Sequence, residues 1–200
     1  ANTFGNLVNR TIAMQNKYFD GVIQPGNVNE PVDDELKNFA LDTVKKVEKC
    51  FETYRVADAV EAVLNLAKRS NKYIDETTPW ALAKDEASLP RLGTVLYNLL
   101  EAIRYIAILL SPFMPETSEK IFAQMNCDIK DYDSLESFGA LKAGEKVGKA
   151  EALFARIDAK KMLTEIAEKQ EAAAKAEEAA KPKEIEGLAQ IEFDDFAKVE

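Results

Sequence analysis

The sequence predicts an all-α protein, a helical bundle followed by a C-terminal helical linker, on three observations. Apolar residues recur at helical spacing through successive segments between Asn2 and Met125. Glycine, proline and a Thr-Thr-Pro stop separate those segments. From Asp158 to Lys183 the composition shifts to Ala, Glu and Lys, with no large apolar stripe after Ile166, which reads as a solvated helical linker. With 200 residues, 46% of them hydrophobic, the chain can bury a core and still carry an appendage.

In chain order, residues 2 to 19 partition into two faces. Phe4, Leu7, Val8, Thr11, Ile12, Met14, Tyr18 and Phe19 share one side, and Asn2, Asn6, Asn9, Arg10, Ala13 and Lys17 share the other. The wet face holds amides and cations and meets no acid until Asp20, an unusual surface for a chain of net charge −9. Asn and Arg present planar donor and acceptor arrays that suit nucleobase edges and phosphates, whereas a merely solvated face usually mixes Glu with Lys. Asp20-Gly21 ends this helix, and Gln24-Pro25-Gly26-Asn27 is turn chemistry.

The next helix opens on Asp33, Asp34 and Glu35 and closes on Lys45, Lys46 and Lys49, the polarity a helix dipole favours. Its predicted buried stripe is Leu36, Phe39, Ala40, Val44, Val47, Cys50, Phe51 and Tyr54. The pattern resets around Thr53 to Arg55. Val56, Ala59, Val60, Val63, Leu64, Ala67 and Ile74 then mark a further helix, with Lys68, Arg69 and Lys72 on its outer side.

That helix delivers the chain to Tyr73-Ile74-Asp75-Glu76-Thr77-Thr78-Pro79-Trp80-Ala81-Leu82-Ala83-Lys84, which contains the single tryptophan. Pro79 stops the helix and biases Thr78 to an extended conformation, so Trp80 starts a new turn at a corner, with the three preceding cations lending it a positive tint. A corner indole suits a half-buried site where one face packs and the other meets something planar. A tryptophan that only caps the bundle is the plainer alternative.

Pro90 suits a first helical turn, and Leu92 to Leu110 is apolar nearly all round, the pattern of a central bundle helix. Asn98, Glu101 and Arg104 interrupt it, which argues against a membrane span. Pro112 and Pro115 end it, and Glu116 to Glu119 start one more helix, with Ile121, Phe122 and Met125 facing inward. A turn-rich return from Asp131 to Gly148 is predicted to lie back on the bundle as a loop or short hairpin. Ile191 to Val199 has strand-like residues.

Composition excludes several chemistries. The chain has no histidine, which removes Ser-His-Asp and Cys-His nucleophile systems and His-ligated metals, and it has no Gly-rich phosphate loop. Cys50 and Cys127 stand far apart without metal-ligand spacing, so neither a disulfide framework nor a zinc site is indicated, and a reducing, cytoplasmic context is expected. A pI near 4.8 argues against indiscriminate attraction to polyphosphate. The chain opens at Ala1 with a helical pattern already in progress, which predicts a fragment of a longer protein.

Four motifs in order, Asn6-Leu7-Val8-Asn9-Arg10, Asn16-Lys17-Tyr18-Phe19-Asp20-Gly21, the Tyr73 to Lys84 stretch and Phe138-Gly139-Ala140-Leu141-Lys142, resemble the helical anticodon-binding domain of bacterial methionyl-tRNA synthetases. The resemblance covers about Ala1 to Ile157. It implies a helical bundle of the class I aminoacyl-tRNA synthetase anticodon-binding type over 1–157, a linker over 158–186, and the truncated start of a tRNA-binding oligonucleotide-binding fold over 187–200. It further implies that Asn6, Arg10 and Trp80 contact the CAU anticodon of methionine tRNA, mainly its first base, with Asn9 and Lys17 as secondary nucleic-acid contacts. The sequence departs from the family where Glu145 replaces a common histidine and where Ala150, Ala152 and Ala155 replace frequent prolines.

By the same resemblance the catalytic half, with its ATP and Mg, lies before Ala1. The fragment itself should hold no catalytic residue, metal or cofactor. Its partners would be methionine tRNA and the missing catalytic domain, with no DNA and no membrane, and homodimerisation would fall to the missing C-terminal domain. Two other readings stand beside this one: the anticodon domain of another class I synthetase, which the Asn6, Arg10 and Trp80 set disfavours, and a helical protein-interaction scaffold.

Overall fold

A computed structural model describes residues 2–154 and 159–180. Its helices are α1 (Asn2–Phe19), α2 (Pro31–Glu52), α3 (Val56–Thr77), the single turn α4 (Pro79–Leu82), α5 (Leu89–Leu110), α6 (Pro115–Met125) and α7 (Ala159–Ala180), with 3-10 turns at Glu86–Ser88 and Tyr132–Leu135. The chain divides into two compact units, Ala1–Ala155 and Arg156–Glu200. The predicted strand at Ile191 to Val199 lies outside the described residues.

The first unit is built around α5. From Arg91 to Leu110 every residue except Tyr97 is buried, because α1, α2, α3 and α6 all pack on it. Length and hydropathy alone would let this helix cross a membrane, but its most apolar stretch is 94% buried within the protein, as a core helix should be. Leu96, Leu99, Leu100, Ile103 and Ile106 have no exposed surface, and fully burying such a side chain stabilises by about 1.5–3 kcal/mol. Prolines at the starts of α2, α5 and α6 stand where a helix needs no amide donor.

The outer stripes are narrower than predicted. On α2, Leu36, Ala40, Val44 and Val47 are buried, whereas Phe39, Phe51 and Tyr54 are exposed. Tyr54 lies past the end of α2 in a left-handed turn (φ 57°), which swings it 93% into solvent, and Phe51 instead stacks on Phe113 at 5.9 Å between centroids. On α3, Val56 and Leu64 face outward while Leu66, Ser70 and Tyr73 are buried, since the contact stripe follows the groove between α2 and α5 and leaves the edge apolar residues outside it.

Two of the residues that interrupt α5, Glu101 and Arg104, turn out to fasten the return segment. Glu101 and Arg104 are wholly buried and paired at 2.9 Å. The Leu141 N–H donates to Glu101 Oε1 at 2.5 Å, Arg104 donates to Ser134 Oγ at 2.6 Å, and Tyr97 and Tyr105 donate to the carbonyls of Leu141 and Leu135 at 2.9 and 3.0 Å. Further on, Val22 and Lys146 form an antiparallel bridge, flanked by Ile23 N–H to Glu145 O at 2.8 Å and Val147 N–H to Gly21 O at 2.9 Å. Glu145 serves this pairing through its backbone carbonyl, so the side chain that departs from the family pattern is free to vary. Gly21 is required there: its φ is +81°, and a Cβ would lie 3.2 Å from the Val147 carbonyl oxygen.

The second unit is described through α7. Met162, Leu163 and Ile166 are exposed apolar residues in its first turns, and Ala, Glu and Lys dominate the rest.

Candidate nucleic-acid interface

Helical geometry sets the exposed stripe of α1. At about 100° per residue Asn6, Arg10 and Lys17 fall within about 40° of one another, a stripe about 16 Å long on α1. Asn6, Arg10 and Lys17 are exposed, and Asn9 is half-buried at the margin. Among the described residues no hydrogen bond or ion pair occupies the side chains of Asn6, Asn9 or Arg10, while the Lys17 ammonium sits 5.2 Å from the Tyr18 ring centroid. The start of α1 is seated against α3 by Asn71, whose amide donates to the Thr3 carbonyl at 3.1 Å. Free amides and a free guanidinium on a rigid helix can meet base edges and phosphate without first breaking internal bonds.

Trp80 stands on a different element. It is the second residue of α4 and is 44% exposed, which leaves much of the indole open. Thr78, predicted to be extended, adopts the left-handed region instead (φ 41°, ψ 63°). Pro79 does keep Thr78 out of the right-handed helical region, but Thr78 also ends α3, and its N–H closes that helix on Ile74 O at 3.0 Å, a left-handed cap rather than an extended one. A β-branched residue held there stores about 1–3 kcal/mol. The surroundings hold it: Thr77 Oγ1 donates to Tyr73 O at 2.7 Å, Ala81 N–H donates to Thr78 O at 2.8 Å, and Pro79 is buried.

The predicted positive tint beside the corner is largely cancelled. Arg69 is not an outward cation: its side chain is 12% exposed and bridges Glu76 at 2.9 Å and Glu35 at 3.2 Å. Lys72 pairs with Glu76 at 3.3 Å and Lys68 donates to Asn65 at 3.1 Å. The stripe on α1 is therefore the better candidate for RNA contact.

Beneath the corner lies a buried polar cluster. Arg91 donates twice to Asp33, at 2.7 and 2.9 Å, and Tyr73 donates to the same carboxylate at 2.5 Å. The Glu30 N–H adds a fourth donor at 2.8 Å, and Asn98 donates to the Tyr73 hydroxyl at 3.3 Å. Burial pushes the Asp33 carboxyl up, but the hydrogen bonds from Arg91, Tyr73 and the Glu30 backbone together outweigh it and hold it below the usual carboxylate value. Burial, then the hydrogen bond to the Asp33 carboxylate, raises the Tyr73 hydroxyl far above its ordinary value. Sequence reasoning took Asp33 for a dipole-favoured acid only and passed over Arg91. A signal existed: a cation in the first turn of a helix opposes the dipole and calls for an anionic partner.

A 530 Å³ cleft between α2 and α3 is lined by Lys46, Lys49, Thr53, Arg55 and Asp58, at the end of α3 away from Trp80. A surface that reads an open loop of bases need not be a pocket, since the loop can wrap a convex helix face.

An all-α bundle with an open amide and guanidinium stripe and a half-exposed corner tryptophan is a frame that suits a helical binding module. The chain belongs to the anticodon-binding domain family of tRNA ligases, whose family model matches residues 33–186. It is 52% identical over 166 residues to the methionine–tRNA ligase of Clostridium perfringens, covering 83% of this chain and 26% of that protein. To the Bacillus subtilis methionine–tRNA ligase it is 44% identical, with 100% of this chain and 31% of that protein covered. The free-state crystal structure of Mycobacterium tuberculosis methionyl-tRNA synthetase superposes with a TM-score of 0.74 at 28% identity, over 79% of this chain and 32% of that one. The chain thus spans between a quarter and a third of the length of these relatives. The family model begins after α1, but the Bacillus match extends over the helix that carries Asn6 and Arg10.

Proposed function

We propose that this chain reads the CAU anticodon of methionine tRNA as one part of a cytoplasmic, ATP-dependent methionine–tRNA ligase. The observation that carries the reading is the α1 stripe, where Asn6 and Arg10 hold no partner among the described residues while the cations of α3 are paired or hydrogen-bonded. Asn6 and Arg10 offer the planar groups that recognise base edges, and Trp80 offers a stacking face worth about 1–3 kcal/mol per base. Asn9 and Lys17 extend the surface, Lys17 toward phosphate. One relative is described as a complex with methionyl-adenylate, the product of methionine and ATP chemistry, and that step belongs to the part of the relatives this chain does not span.

The single tryptophan makes the test direct. Titrating the chain with a CAU anticodon stem-loop should quench Trp80 fluorescence saturably, and changing the first anticodon base or Arg10→Ala should weaken that response. Equal responses to the two RNAs would exclude base reading by this surface and favour a protein-contact role for it.

A further inference from the structure

We infer that Tyr73, Asp33 and Arg91 are positioning residues for anticodon reading, a clamp that fixes how Trp80 is presented without touching RNA themselves. The inference rests on the reading of Trp80 proposed above and names what controls it. Tyr73 and Asp33 have no exposed surface and Arg91 has 7%, so none can reach a bound RNA. What they join is the two helices that flank the corner. Tyr73 lies in the closing turns of α3, with Thr77 Oγ1 hydrogen-bonded to its carbonyl one turn before Thr78. Arg91 lies in the opening turn of α5, the helix that resumes after α4 and the Glu86–Ser88 turn. Asp33, at the start of α2, takes donors from both and so closes the ring across the base of the corner.

The corner needs such a tie. Thr78 is held in a conformation that a β-branched residue disfavours, and α4 is only four residues long, too short to orient an indole by its own hydrogen bonds. With α3 and α5 locked together, the angle at which α4 leaves Thr78 is set from both ends. A freed α3 end would let Thr78 relax and Trp80 swing, and the stacking face would no longer be held in advance for the incoming base.

Tyr73→Phe is the informative change, since it removes one hydroxyl and leaves the Asp33–Arg91 pair intact. In the free 200-residue chain, the anisotropy of Trp80 fluorescence should fall and its emission maximum should shift. With a fluorophore-labelled CAU stem-loop, affinity should drop about three- to tenfold. The loss should vanish when Trp80→Ala is already present and should add in full to that of Arg10→Ala. Asn98→Ser, which withdraws the donor to the Tyr73 hydroxyl, should give the same pattern more weakly, and it serves if Tyr73→Phe melts too low for titration. A plain structural brace would lower the melting temperature with Trp80 anisotropy and RNA affinity unchanged, and that result would overturn the clamp. So would an affinity loss of equal size in the Trp80→Ala background. If instead the unmutated chain fails to separate CAU from the altered loop while Tyr73→Phe still frees Trp80, the anticodon reading fails and the corner clamp remains, without a role in reading RNA.

Discussion

Arginine serves two opposite purposes in this molecule, and the contrast between Arg10 and Arg91 shows how each can be told. Arg91 is 7% exposed, forks onto Asp33, and donates a further hydrogen bond to Val28 O at 3.0 Å. Arg10 is exposed on α1 with no partner among the described residues. Asparagine divides the same way: Asn98 is buried and donates to Tyr73, whereas Asn6 is open. The folded chain has paired the charges it buries, Asp33 with Arg91 and Glu101 with Arg104, because an orphaned buried charge would destabilise it by several kcal/mol. Polar groups left unsatisfied on a rigid helix face stay available for an outside partner.

The largest way to break that contrast is to remove one charge from each side. Asp33→Ala removes the buried carboxylate from Arg91, leaving it only Val28 O and the half-exposed Glu30 at 3.2 Å, and leaves the Tyr73 hydroxyl without its acceptor, and should lower unfolding free energy by about 2–4 kcal/mol. Arg10→Ala should change it by no more than about 0.5 kcal/mol, both read by urea unfolding. Comparable losses at the two positions would mean that Arg10 is structural after all.

The pH dependence sharpens the same point from two ends of the bundle. The folded Asp33 carboxyl lies below its unfolded value of about 3.9, so its contribution is fully present above about pH 5 and is lost as pH falls through the unfolded and then the folded value. Tyr97 and Tyr105 are pushed up to about 12, burial first and Glu101 also contributing, so the neutral hydroxyls that hold the return segment contribute fully below about pH 10 and are lost between 10 and 12. Acid should therefore loosen the corner first, whereas alkali should loosen the return segment and the corner together, since the Tyr73 hydroxyl is raised as well. Hydrogen exchange at Thr78 and Leu141, followed at each extreme, checks both.

How much of this was legible in the sequence follows from the kind of interaction involved. Helix spacing is local, so α1, α3, α5 and the α4 corner could be read from periodicity and from Pro79, and the Asn6 and Arg10 face followed from the same geometry. Asp33 and Arg91 are 58 residues apart, and no local pattern pairs them. Arg69 looked like a surface cation because neither partner stands at the usual helical spacing: Glu76 is 7 residues on along α3 and Glu35 lies on another helix, 34 residues away. Thr78 was misread because the rule for a residue before proline competes with the need to cap α3. Tyr54 and Phe51 continue the apolar period of α2 past the point where the neighbouring helices stop covering it.

A smaller effect tests the pairing that seats the end of α1 on the return segment. Gly21→Ala places a Cβ against the Val147 carbonyl in a left-handed conformation and should destabilise by about 2 kcal/mol. Because Gly21 is remote from Asn6, about four turns along the chain, RNA discrimination should survive wherever the protein remains folded. A stem-loop titration well below the melting temperature separates the two effects.

The finest distinction lies within the α1 stripe itself. Lys17 carries a point charge that suits phosphate and cannot tell one base from another, whereas the Arg10 fork can match a base edge. Lys17→Ala should weaken binding of the CAU and altered stem-loops by the same factor and reduce the slope of log affinity against log salt by about 0.7, the release of one counterion from single-stranded RNA. Arg10→Ala should instead erode the difference between the two RNAs, by about 1–3 kcal/mol if its contact is bidentate. Titrations at several salt concentrations read both quantities at once. If Arg10→Ala lowers the slope and leaves the difference untouched, Arg10 is a phosphate contact, and base reading must then rest on Asn6 and Trp80.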